Sequence, residues 1–146
     1  MRAARWNRPS TIALLSQRGA NIEARNNAGK TALVIATEYQ KVDAVSMLLT
    51  CGANVHATSD KGCTALHEAA RAGSEEIVRL LLDAKANATL PDSFGRTPWI
   101  MAVHHHKDDV LRGLLEPDCS KDEFLQALQR DKHAGDVAKH MNMIYQ

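Results

Sequence analysis

The chain has 146 residues, with 18 Lys and Arg, 17 Asp and Glu and a net charge of +1. This length allows one domain with a sufficient hydrophobic core and is short for two. The near balance of charge argues against a nucleic-acid-binding domain, which usually has a strong basic excess.

The three cysteines form no CxxC pair, so the sequence supports neither a zinc ribbon nor a redox motif and fits a reducing compartment. Apolar runs are far shorter than the roughly 18 residues of a membrane span, and the basic N-terminus lacks the apolar stretch of a secretory signal. We therefore expect a soluble intracellular protein, cytoplasmic or nuclear, without membrane contact.

Residues 1–25 predict a small-residue helix end at Ala3-Ala4, followed by a helix that contains Ile12, Leu14 and Leu15. Ala3-Ala4 stands 33 residues before Ala36-Thr37, and this interval recurs along the chain. The Gly-Thr turn that opens each later unit is missing here. This segment is therefore expected to be a truncated or capping unit, and a fragment of a longer array is the favoured interpretation.

Three sequence blocks recur at intervals of 33 residues and divide the chain into units 26–58, 59–91 and 92–118. Independent blocks that share one register make coincidence very improbable. The first block is Gly29-Lys30-Thr31-Ala32-Leu33, Gly62-Cys63-Thr64-Ala65-Leu66 and Gly95-Arg96-Thr97-Pro98-Trp99. The second is Met47-Leu48-Leu49, Leu80-Leu81-Leu82 and Gly113-Leu114-Leu115, and the third is Gly19-Ala20-Asn21, Gly52-Ala53-Asn54 and Lys85-Ala86-Asn87.

The middle unit indicates the structure of all three. Thr64 is a good N-cap and predicts a short first helix from Thr64 to Ala70, in which Ala69 and Ala70 let neighbouring helices approach closely. Ala72-Gly73-Ser74 breaks this helix. Glu75 and Glu76 open a second helix, where acidic side chains complement the helix dipole. Isolated helices below about 12–15 residues are marginal, so stacked neighbours must supply the burial.

Thr64-Ala65-Leu66-His67-Glu68-Ala69-Ala70, with Ala72-Gly73 and Ile77-Val78-Arg79-Leu80-Leu81-Leu82, resembles the ankyrin repeat, and so does the period. The resemblance covers roughly residues 3–118 and implies an all-α solenoid of stacked helix-turn-helix units with hairpin-like loops. In that family His67 would tie its turn to the adjacent repeat, whereas Val34 and Ile100 at the equivalent positions could not. Trp99, at a framework Leu position, is expected in the core between repeats.

The last segment, 119–146, departs from the repeat pattern. Ser120-Lys121-Asp122-Glu123 reads as a capping box, and Phe124, Leu125 and Leu128 fit one helix face. We expect a helical C-terminal cap that shields the open end of the stack, with a degenerate fifth repeat as the alternative.

The resemblance also implies where a partner would bind, because ankyrin repeats differ at the loop tips and along the inner face of the first helices. Phe94 and Tyr39 are the most informative of these positions, since aromatic residues and Arg dominate interface hot spots. Phe94 could instead fold onto the neighbouring tip, and Tyr39 could pack between repeats. The positions predicted to bind a partner, here called the strip, are Asn27, Lys30, Tyr39, Asp60, Lys61, Arg71, Phe94, Arg96, His104 and His105.

Two groups of residues suggest chemistry and are better explained by structure. His104-His105-His106 cannot converge on one metal, because successive helical residues point about 100° apart. Cys63 and His67 could form a thiolate pair, but the structural role of His67 is the stronger interpretation. The sequence contains no phosphate-binding loop, GxSxG or HExxH motif. We therefore expect no catalysis, metal, cofactor or small-molecule substrate.

These observations predict a monomeric protein-protein interaction module that binds a protein or peptide through the concave face. The alternative is a regulatory or substrate-recruiting fragment of a larger enzyme, channel or signalling protein. A structural spacer without a partner is disfavoured by the varied tip residues. Nucleic-acid binding through Arg2, Arg5 and Arg8 is the remaining, less favoured hypothesis.

Overall fold

The computed structural model describes residues 1–115, which form eight α-helices and no strand. Short turns join the helices in pairs, so that each pair occupies one 33-residue interval of the sequence. The helices are α1 (Arg2–Arg5), α2 (Pro9–Gln17), α3 (Ala32–Glu38), α4 (Val42–Thr50), α5 (Ala65–Ala72), α6 (Glu75–Asp83), α7 (Pro98–His104) and α8 (Asp108–Leu115).

The helices stack in two rows. In the first row α1, α3, α5 and α7 pack against one another in order, and in the second α2, α4, α6 and α8 do the same. The core lies between the rows, where Leu33, Leu66 and Leu111 are completely or almost completely buried. Ala69 and Ala70 are fully buried in the first row, as predicted for residues that allow close helix approach. The expectation that Trp99 belongs to this core is confirmed, because only 3% of its surface is exposed.

The turn after each first-row helix repeats the same backbone conformation. Asn7, Gln40, Gly73 and His106 follow α1, α3, α5 and α7, with φ of 50°, 54°, 80° and 52°. Glycine adopts this left-handed region without strain, whereas other residues carry a cost of roughly 1–2 kcal/mol. Three of the four turns accept that cost, so the turn geometry is imposed by the stack rather than by local preference.

One predicted boundary is wrong. The first helix of the middle unit does not end at Ala70, because α5 continues to Ala72 and the left-handed Gly73 ends it. The two additional helical residues place Arg71 on the same face as Glu68, to which it is hydrogen-bonded. The predicted start of the second helix at Glu75 is confirmed.

The two ends of the chain differ from the middle. The helix predicted around Ile12 is present as α2, with Ile12 buried and Leu14 and Leu15 about half exposed. The predicted cap over 119–146 lies outside the described residues. No helix within 1–115 is both long and apolar enough to cross a membrane.

Candidate functional site

Three loop tips stand before the first-row helices and share one hydrogen-bonding pattern. They are tip 1 (26–30), tip 2 (59–63) and tip 3 (92–96). In each tip the first residue and the glycine close a turn, through Gly29 N–H to Asn26 O and its equivalents. The tips are also bonded to each other, since Asp60 donates its N–H to Ala28 O at 3.2 Å and Ser93 donates to Lys61 O at 3.0 Å. The tips therefore form a continuous ribbon, on which Asn27, Asp60 and Lys61 are exposed.

His67 joins the middle unit to tip 3. Its Nε2 lies 2.9 Å from the carbonyl oxygen of Arg96, which can only accept, so Nε2 carries the ring proton. Nδ1 is then the acceptor for the Thr64 N–H at 3.2 Å and the Thr64 hydroxyl at 2.9 Å. Burial lowers the pKa of His67 and outweighs the opposing effects of the Arg96 carbonyl and nearby carboxylates. This confirms the expectation that His67 ties its turn to the adjacent repeat.

In tip 3 a buried carboxylate holds an exposed guanidinium. Asp92 Oδ2 accepts hydrogen bonds from Arg96 Nε and Nη2 at 2.9 and 2.7 Å, while Oδ1 accepts from the N–H groups of Phe94 and Arg96. Burial alone would raise the pKa of Asp92, but these hydrogen bonds outweigh it and the pKa is lowered. The Arg96 guanidinium lies 4.9 Å from the centre of the Phe94 ring, which is 67% exposed. Phe94 is therefore displayed on the surface against an immobilised arginine of its own tip.

A second charged network crosses from tip 1 to α5. Lys30 Nζ lies 2.9 Å from Glu38 and 3.4 Å from Glu68. The other oxygen of Glu68 accepts from Arg71 at 2.8–2.9 Å. Desolvation alone would lower the pKa of Lys30, but the two carboxylates outweigh it and raise the pKa. Lys30 and Arg71, both predicted to face a partner, are thus held by carboxylates of the chain itself.

At the N-terminal end of the strip, aromatic rings pack against Arg5. Its guanidinium lies 4.6 Å from the centre of the Tyr39 ring and 5.9 Å from that of Trp6. Trp6 is 68% exposed and Tyr39 is 41% exposed. Arg5 and Trp6 are not among the strip residues predicted from the sequence. The signal was present, because these residues stand 33 positions before Glu38 and Tyr39.

The C-terminal end of the strip is cationic. His104 and His105 are exposed at the end of α7. Burial of the ring lowers the pKa of His105 most, and the positive charges of Arg71, His104, Lys107 and Arg96 lower it further. Across the turn, a Cβ atom built on Gly73 would lie 2.5 Å from Lys107 Cδ, so the lysine stem covers this glycine. These contacts bring the end of α5, tip 3 and the turn after α7 into one region.

Comparison with known families decides what this architecture is. The family described as ankyrin repeats, in three copies, matches residues 43–124. The chain belongs to the ankyrin repeat family. A search of curated proteins found no significant match. Ankyrin repeats are in general protein-protein interaction modules and are typically non-catalytic. This is the class of function that the sequence resemblance implied.

Candidate chemistry elsewhere on the ankyrin stack is limited. Burial and the charges of Asp92 and Glu68 raise the pKa of the Cys63 thiol, whose sulfur lies 3.8 Å from Asp92 Oδ2. A thiol is a poor nucleophile, and both nitrogens of His67 are already hydrogen-bonded. Over residues 1–115 no three His, Cys, Asp or Glu side chains are grouped as metal ligands would be.

The ten predicted strip residues differ in exposure and in their contacts. Lys30, Arg71 and Arg96 are half-buried and paired within the chain, whereas Asn27, Tyr39, Asp60, Lys61, Phe94, His104 and His105 are exposed. Arg96 consequently has two roles, because its side chain satisfies a buried carboxylate and its carbonyl accepts from His67. A substitution at Arg96 would therefore disturb folding as well as the surface.

Proposed function

We propose that this ankyrin repeat chain is an interaction module that binds a partner protein or peptide through the strip, extended by Arg5 and Trp6. The observation that carries the proposal is the recurrence of exposed side chains at one position of the repeat. Trp6, Tyr39 and His105 occupy this position in three of the four repeats, and Phe94 is exposed on tip 3. A recurrence of this kind offers a partner a surface that continues from one repeat to the next.

The composition of the strip supports binding rather than a solvated framework. Trp, Tyr and Arg are the residues most enriched in interface hot spots. The chain has only six aromatic residues, two Trp, two Tyr and two Phe, and three of them, Trp6, Tyr39 and Phe94, are exposed here. Two of the three rings also contact an arginine at less than 5 Å, which limits their freedom before binding. Side chains that are already ordered lose less conformational entropy in a complex.

The test is affinity capture from a cell extract with substitutions that spare the fold. We expect Phe94→Ala, and separately the double variant Trp6→Ala with Tyr39→Ala, to lose partners that the unaltered chain captures. Arg96 is left intact because its replacement would leave the buried carboxylate of Asp92 without its ion-pair partner. Leu14→Ala is the matched control, since Leu14 is an exposed apolar residue of α2 outside the strip.

The thermal midpoint of every variant should stay within a few degrees of the unaltered chain, since exposed substitutions change stability by about 0.5 kcal/mol or less. A set of captured proteins that is the same for all variants would contradict the proposal. A large fall in the midpoint of Phe94→Ala would assign that ring a structural role instead.

A further inference from the structure

The C-terminal half of the strip contains two arginines that are fixed in place before any partner arrives. Glu68 holds Arg71 through Nε and Nη2, and Asp92 holds Arg96 through the same two atoms. Both carboxylates are buried, with 9% and 0% of their side chains exposed, while Arg71 and Arg96 retain 40% and 37%. Each guanidinium therefore keeps further N–H donors for an external acceptor in a fixed geometry.

Both arginines also act on His105 through their positive charge. The charged groups with the largest effect on its ring are Arg71 at the end of α5, Arg96 in tip 3, His104 in α7 and Lys107 in the following turn. All are cationic or become so on protonation. The residue between Arg71 and Gly73 is Ala72, where other repeats carry Trp6, Tyr39 and His105.

We propose that Arg71, Arg96 and His105 form a carboxylate-recognition site for an acidic segment of the partner protein. This inference rests on the proposed function, because it assigns a partner chemistry to one half of the strip. Planar guanidinium groups bind carboxylates through two parallel hydrogen bonds, and the exposed Phe94 ring next to Arg96 offers an apolar contact to a neighbouring partner side chain.

The surrounding charges favour discrete carboxylates over a nucleic-acid backbone. Glu38, Glu68 and Asp92 alternate with the cations along the same face, and Asp60 is exposed on tip 2. These carboxylates would repel the continuous row of phosphates of a nucleic acid. An isolated Asp or Glu of a peptide needs only the remaining N–H donors of one arginine.

A bound carboxylate would also change the protonation of His105. In the unbound protein burial and the neighbouring cations lower the pKa of His105, so the ring is neutral at neutral pH. An added negative charge favours the protonated ring and raises that pKa. Binding then takes up a proton, and affinity increases as the pH falls.

The test measures fluorescence anisotropy with the full chain and a labelled synthetic peptide that contains four Glu residues around one Leu. We expect binding to tighten by about three- to tenfold between roughly pH 7.5 and pH 5.5. Replacing every Glu of the peptide by Gln should weaken binding about tenfold or more. Arg71→Gln should weaken it by about 5- to 20-fold. Arg79→Gln is the matched control, because Arg79 is an exposed arginine of α6 in the second row.

His105→Gln should remove most of the increase in affinity between pH 7.5 and pH 5.5. Equal affinity for the Glu and Gln peptides, or equal loss with Arg71→Gln and Arg79→Gln, would overturn the inference. Tighter binding of a single-stranded oligonucleotide of the same charge, lost in Arg71→Gln, would also overturn it and assign the site to nucleic acid. If partners captured through Trp6, Tyr39 and Phe94 are retained by Arg71→Gln, the proposed function stands and only this inference fails.

Discussion

The imidazole Nε2 of His67 donates a hydrogen bond to the carbonyl oxygen of Arg96 across 2.9 Å. This contact joins α5 to tip 3 of the next unit, and either the neutral or the protonated ring can donate it. The same imidazole accepts the Thr64 N–H and hydroxyl at Nδ1, so one side chain closes the cap of its own helix and binds the neighbouring repeat. Its protonation state therefore affects both local and inter-repeat structure.

Acid should weaken the stack through His67. Because the folded state lowers the pKa of His67 below its ordinary value of 6.5, the unfolded chain binds a proton more readily. The stabilisation is therefore complete above about pH 6.5 and is lost as the pH falls through the folded pKa. In urea titrations we expect His67→Val to be less stable than the unaltered chain at pH 7.5 by about 1–3 kcal/mol.

The difference between the two proteins should shrink towards pH 5, because valine does not titrate. Valine is a suitable replacement, since Val34 occupies the equivalent position one repeat earlier. A constant difference in the free energy of unfolding between pH 7.5 and pH 5 would contradict the neutral state assigned to His67 in the folded chain.

Thr31 and Thr64 occupy equivalent N-cap positions but should respond differently to the same substitution. The Thr64 hydroxyl is hydrogen-bonded to His67, whereas Thr31 Oγ1 is buried with no hydrogen-bond partner among residues 1–115, since Val34 stands where a histidine would. Valine replaces threonine with almost no change in volume. We expect Thr64→Val to destabilise by about 1–2 kcal/mol and Thr31→Val to be neutral or stabilising. Thermal denaturation of the two variants measures this, and equal losses would show that the hydroxyl at 31 is satisfied.

Asp92 should contribute to stability only while it is ionised. Its lowered pKa means that the contribution is present above the ordinary value of 3.8 and is lost as the pH falls through the folded pKa. Asp92→Asn keeps the shape but weakens the bonds from Arg96, and we expect a loss of about 1.5–3 kcal/mol at neutral pH. Asp60→Asn is the control, because Asp60 is exposed on tip 2. Similar losses for the two variants would contradict a special role for the Asp92–Arg96 pair.

Gly62 and Gly95 separate backbone strain from contact between tips. Both have left-handed backbones, with φ of 72° and 79°. A Cβ on Gly62 would lie 2.7 Å from Ser93 N of the next tip, whereas one on Gly95 would have nothing within 4 Å. We expect Gly95→Ala to cost about 1–2 kcal/mol through conformation alone and Gly62→Ala to cost more, because tip 3 must also move. Urea unfolding of both variants gives the difference, and a larger loss at Gly95 would contradict the packing of tip 2 on tip 3.

The sequence predicted most of the fold because one register repeats. The 33-residue interval was sufficient to place the helices, the N-cap threonines and the buried Trp99, and the family resemblance supplied the role of His67. The end of α5 was misplaced by two residues, since Ala70, Arg71 and Ala72 all favour helix and only Gly73 ends it. Such local ends are decided by one backbone conformation, which side-chain patterns indicate weakly.

The strip was less predictable than the fold. Its positions follow from the 33-residue repeat, and Arg5 and Trp6 also follow from it, since they stand one repeat before Glu38 and Tyr39. Which charges are engaged within the chain does not follow, because Lys30 reaches Glu68 across 38 positions and its partners depend on how tip 1 lies over α5. Arg96 illustrates the point: the sequence predicts it to be exposed, but folding places the buried Asp92 carboxylate against its guanidinium.

The side-chain contacts that join neighbouring repeats differ in their chemistry. Units 26–58 and 59–91 are joined by the ion pair of Lys30 with Glu68, whose contribution falls in concentrated salt and in alkali. Units 59–91 and 92–118 are joined by the hydrogen bond from His67 to the Arg96 carbonyl, which is uncharged at neutral pH and therefore little affected by salt. Acid protonates Nδ1 of the same ring and removes its acceptor role towards Thr64. Solvent conditions therefore determine which contact weakens first: concentrated salt or alkali weakens the contact between tip 1 and α5, and acid weakens the cap at the start of α5.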